Sequence, residues 1–88
     1  MHFAEALIPR DEAVAMAAEV LRGLADRNAA YYAKAPGYTP DPARPVFASI
    51  RAEDAWYYIP FARAGGVGQP VIVRVNGLTK AVVVDAKF

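Results

Sequence analysis

The chain contains no cysteine, a single histidine and a single tryptophan, and its ten basic and nine acidic residues never gather into a run of one sign. Without thiols there is no disulfide, no thiolate nucleophile and no sulfur-ligated zinc. Nucleic acid and anionic membrane surfaces are recognised by clustered Lys and Arg that displace counterions, so neither is expected as a partner. No apolar stretch reaches the roughly eighteen residues of a membrane span. The opening MHFAEALIPRDEA has no basic n-region, and its apolar patch stops at Pro9, so it does not read as a signal peptide and a cytoplasmic location is expected. His2 stands beside a flexible terminus without a fixed partner, and general acid–base work needs one.

What is present suits one core. A chain of 88 residues with 56% hydrophobic and 22% charged residues has the material for a single globular domain over 1–88 and too little for two. From Asp11 to about Lys34 it is rich in Ala, Glu, Met, Leu and Arg, all good helix formers. Val14, Ala17, Leu21, Leu24 and one of Tyr31 and Tyr32 form a helical stripe opposite Glu12, Glu19, Arg22, Asp26 and Arg27. Pro9 and Asp11 read as the start signal, the carboxylate being available to accept from free N–H groups. Gly23 either admits a close strand or is a neutral solvent-side glycine.

Residues 35–45 carry Pro36, Pro40, Pro42 and Pro45, which rule out helix and central strand and predict an extended connector. Beyond it the period changes to two. Val46–Ile50 and Trp56–Phe61 read as strands joined by a polar turn at Arg51–Asp54, with Pro60 requiring an edge position or a bulge. Val71–Val75 and Ala81–Asp85 flank Asn76-Gly77, a hairpin signal. A two-residue turn there would set Lys80 against Val73. A four-residue loop from Asn76 to Thr79 pairs Val73 with Val82 and Val71 with Val84, and leaves Val75 beside Lys80, keeping one face apolar. Ile72, Arg74, Ala81, Val83 and Asp85 then share the other face. The expected fold is α+β, an N-terminal helix packed on one face of a four-stranded antiparallel sheet of two hairpins, with a short extra element within His2–Ile8.

Chemistry is sparse. Ser49 lacks a nucleophile-elbow context. Asp11-Glu12 reads as a helix start and Glu53-Asp54 as turn residues, and neither has the alternating oxygens of a calcium loop. Gly65-Gly66-Val67-Gly68 leads through Gln69-Pro70 into a strand, whereas a phosphate cradle leads into a helix. No cofactor, metal or catalytic residue is therefore expected. An enzyme would require Glu53 and Asp54 to converge with a tyrosine and an arginine.

Aromatic density is the distinctive feature. Alternation sends Tyr57, Ile59 and Phe61 to one sheet face and Trp56, Tyr58 and Pro60 to the other, so a helix on one side leaves an aromatic pair uncovered. Tyrosine and tryptophan dominate binding hot spots. They also build the cores of small domains, which is the competing reading.

Glu12-Ala13 at a helix start, Trp56-Tyr57-Tyr58-Ile59, Gly68-Gln69-Pro70-Val71-Ile72-Val73 and Asn76-Gly77 together resemble the YrhB-like immunity proteins of bacterial toxin systems. The proline connector and the tail beyond Gly77 depart from that pattern. The helix-plus-sheet layout is also similar to PepSY-like domains, which are linked to peptidase inhibition. Both resemblances imply a non-enzymatic binder of another protein, such as a toxin or a peptidase. Trp56 and Tyr58 are the expected anchors, with Arg74 a polar contact on the same face and Tyr38 a contact on the connector. The alternative is a homodimeric structural or small-ligand-binding domain that packs Ile72, Val83 and the aromatics against a second copy.

Overall fold

Residues 7–66 and 68–85 are described by the computed structural model. The helical segment divides in two, α1 at Arg10–Arg27 and α2 at Ala29–Lys34, where one continuous helix is expected from composition. Asn28 makes the break: its amide Nδ2 donates to the Leu24 carbonyl at 2.8 Å, closing the last turn of α1. At the other end Pro9 occupies the cap position in an extended conformation, and its carbonyl accepts from Ala13 N–H. No side chain caps α1, so Asp11 and Glu12 act on the helix only as negative charges near its positive end.

Among the described residues five strands follow: β1 at Pro40–Pro45, β2 at Arg51–Glu53, β3 at Trp56–Arg63, β4 at Val71–Asn76 and β5 at Val82–Asp85. Every pairing is antiparallel, in the order β1-β3-β4-β5, with β2 also paired to β3. This is the expected α+β arrangement with two corrections to its strands. Val46–Ile50 is not a strand: Phe47–Ser49 is a 3-10 turn. The edge strand is made instead by the proline connector, β1 facing the Phe61–Arg63 end of β3 and β2 the Trp56–Tyr58 end. Thus β1 and β2 are two halves of one interrupted edge.

The interruption explains Pro60, which sits inside an interior strand. Val46 N–H donates to the Pro60 carbonyl at 2.8 Å, so the backbone of Pro60 faces the β1–β2 side, where the missing donor falls at the break between the two halves. The irregularity demanded by the proline lies in the neighbouring chain.

The β4–β5 hairpin keeps the expected faces and the expected loop length but shifts its register by two residues. Val75 pairs with Val82 and Val73 with Val84, and Asn76 N–H donates to Ala81 across a loop of Gly77 to Lys80. Asn76 shapes that loop through its side chain, Oδ1 accepting from Leu78 and Thr79 N–H at 2.9 Å each. The positive φ falls at Lys80 (64°), not at Gly77. Gly77 is glycine because a Cβ there would lie 2.6 Å from Leu7 Cδ2 and 3.3 Å from Leu7 Cβ. The segment entering α1 crosses here, Ile8 N–H donating to the Gly77 carbonyl at 3.0 Å. Of the element expected within His2–Ile8, only Leu7 and Ile8 are among the described residues.

One face of the sheet receives α1. Ala13, Ala17 and Leu21, each one helical turn apart, are fully buried against Ile59, Phe61, Val71, Val73 and Val75. The alanines bring the helix close, and Val14 and Leu24 flank the stripe half-buried. Gly23 plays no part in this approach, since a Cβ would touch only the end of Arg27. Of the tyrosine pair, Tyr32 is buried, and Tyr31 is exposed with its ring set edge-on against it.

Candidate functional site

On the face of the sheet away from α1 the residues form a grid set by strand register, buried at Pro60 and more open toward Val83. One row runs Arg51, Tyr58, Arg74, Val83 across β2, β3, β4 and β5. On one side of it Glu53, Trp56 and Asn76 are aligned, and on the other Pro60, Ile72 and Asp85. Trp56, Tyr58 and Ile72 are half-buried, and Val83 is exposed. The aromatic strand therefore serves both readings of its composition, with Ile59 and Phe61 in the core and Trp56 and Tyr58 outside it.

Arginine holds these rings in place. The Arg51 guanidinium carbon stands 4.2 Å from the centroid of Tyr58, and that of Arg74 stands 5.6 Å from Trp56, both within cation–π range. Arg74 is fixed from its other side, with Nε 3.0 Å from Asp85 Oδ2 and Nη2 donating to Oδ1 at 3.3 Å. Only the Nη2 contact is a hydrogen bond, and the approach of Nε to Oδ2 is an ionic contact that leaves Nε without a hydrogen-bond partner. Arg51 is within 3.6 Å of Glu53 in a solvent-exposed pair. The face thus holds two arginines against two carboxylates, and its charge is balanced locally.

Trp56, Tyr58 and Arg74, three of the residues singled out in the sequence, are brought together here. Tyr38 is not among them. It ends a 3-10 turn at Pro36–Tyr38, beside the Arg63 end of β3, where its carbonyl accepts from Arg63 Nη1 at 2.6 Å and its ring lies 3.3 Å from where a Gly68 Cβ would be. Trp56 begins β3 and Arg63 ends it, a separation of about 23 Å at strand rise. Arg51 and Glu53 complete the patch without having been expected in it, and Asp85 joins it on the face that the hairpin alternation gave it. The signal for Arg51 and Glu53 was the period-two pattern, which extends through Arg51–Glu53 once Asp54 and Ala55 alone are taken as the turn.

Glu53 and Asp54 do not converge on a sheltered site: both are exposed, and Glu53 is engaged with Arg51. Among the described residues no group of three or more His, Cys, Asp or Glu is placed to hold a metal ion, and no helix is long and apolar enough to cross a membrane. Comparison with protein-family models, with curated proteins and with solved structures gave no match.

Proposed function

We propose that this chain is a non-catalytic protein-binding domain whose open sheet face docks onto another protein, and that it acts as an immunity or inhibitor protein by occluding that partner. The observation that carries this reading is the arginine-braced pair Trp56 and Tyr58 on the face away from α1. Rings held by guanidinium groups lose little rotamer freedom on binding, and preorganised aromatic anchors of this kind supply most of the energy of a protein interface. The local balance of charge favours a protein surface over a polyanion, which would need net positive charge. Arg74 provides a directed polar contact beside the rings. Tyr38, at the far end of β3, stands outside this face and is expected to contribute little to it.

Growth protection tests the reading. Co-expression with a toxin, or with a peptidase harmful to the cell, encoded beside this chain should restore growth. Trp56→Ala with Tyr58→Ala should abolish that protection while the circular-dichroism melt stays close to that of the parent. Full protection by the double variant would overturn the docking face, and a collapse of the melt would place the two rings in the core.

A further inference from the structure

The two edges of the sheet are built differently. At the β1 edge, Ala64 N–H donates to the Thr39 carbonyl at 2.7 Å and Val46 N–H to the Pro60 carbonyl at 2.8 Å, so their neighbours Pro40 and Pro45 stand where a donor would point outward. Prolines at those positions blunt a sheet edge against further pairing. At the β5 edge, Asn76 N–H donates to the Ala81 carbonyl, which directs the backbone of Ala81, Val83 and Asp85 toward β4 and that of Val82 and Val84 away from it. Neither proline, bulge nor inward charge protects Val82–Val84, and no described strand lies beyond it.

We propose that β5 pairs antiparallel with β5 of a second copy of this chain, about a two-fold axis at Val83. The edge is complementary to itself in this register. Val82 of each copy lies opposite Val84 of the other, so the outward N–H and C=O groups of both residues are all satisfied by their own equivalents. Val83 meets Val83 as a non-hydrogen-bonded pair, in which β-branched side chains approach closely and favourably. Asp85 falls opposite Ala81, so no like charges meet. The helix faces of both sheets stay on one side, giving a continuous sheet beneath two copies of α1. The open face of Trp56 and Tyr58 remains free in each copy, so this pairing stands or falls independently of the docking face.

Absence of cysteine makes the test clean, because Val83→Cys introduces the sole thiol. Sedimentation across the micromolar range should show a concentration-dependent dimer that survives Trp56→Ala with Tyr58→Ala. Oxidised V83C should cross-link at least about tenfold faster than Arg44→Cys on the opposite, exposed edge, since facing strand positions match disulfide geometry. Val84→Pro removes an outward donor but no bond to β4, and should weaken the dimer by about tenfold or more. The Val82 and Val84 amides should exchange slowly only at concentrations that form dimer. A monomer throughout with V83C no faster than R44C overturns the proposal. So does a dimer that V84P leaves intact, or amide protection independent of concentration, which would place the chain's own residues on the edge. If V84P fails to fold, V83C and the amides decide alone.

Discussion

Tyr32 shows how one buried side chain ties stability to pH. The residue is 4% exposed, and burial raises the hydroxyl pKa above the ordinary value of 10.0, with Arg63 nearby acting in the opposite direction. The folded state therefore holds this proton more tightly than the unfolded chain. Its contribution is complete below pH 10.0 and is lost as pH rises through the higher folded value. Thermal melts from neutral pH into the alkaline range should show a decline in stability above about pH 10 that is reduced in Tyr32→Phe. An identical alkaline decline in both proteins would assign it to other groups.

Within the elements, strain is concentrated in the β2–β3 hairpin. Asp54 and Ala55 both have positive φ, 50° and 68°, which makes the turn one that favours Asp-Gly. Alanine in the left-handed region costs about 1 kcal/mol. Ala55→Gly should therefore raise the melting temperature by about 4–8 °C, where the same change in an ordinary strand or helix would lower it. A lower melting temperature would show that the Ala55 methyl group contributes packing that outweighs the strain. Sequence pattern was least informative at such turns. Alanine carries no turn signal, so the polar run Arg51–Asp54 obscured β2, and Asn76-Gly77 signalled a turn whose glycine instead makes room for Leu7. The connector prolines rightly excluded a central strand, but the segment expected as an extended connector pairs with β3 as the edge strand β1.

The described residues form two layers, with α1 on one face of the sheet, and mutational sensitivity should follow that division. Leu21 is among the largest fully buried side chains. Leu21→Ala should cost about 2–5 kcal/mol, a large part of the 5–10 kcal/mol or so expected for a chain of this length. Trp56→Ala loses a half-buried ring and its cation–π contact on the open face and should cost less than Leu21→Ala, about 1–2 kcal/mol. Urea unfolding of the two variants measures the contrast directly. Equal losses would mean that the open face contributes to stability as the core does, and would remove the basis for treating it as a binding surface.

Local patterns by themselves determined the helix, the alternating faces of β3, β4 and β5, and the membership of Trp56, Tyr58 and Arg74 in one shared face away from the helix. Each of these follows from side-chain period along one segment, which is a property of the segment alone. Tertiary structure decided the rest: the use of the proline connector as an edge strand, the two-residue shift of the last hairpin, and the joining of Arg51 and Glu53 to the aromatic patch. Those depend on which backbone groups of distant segments remain to be paired, and on space, as at Gly77 beneath Leu7. Side-chain period carries no record of either.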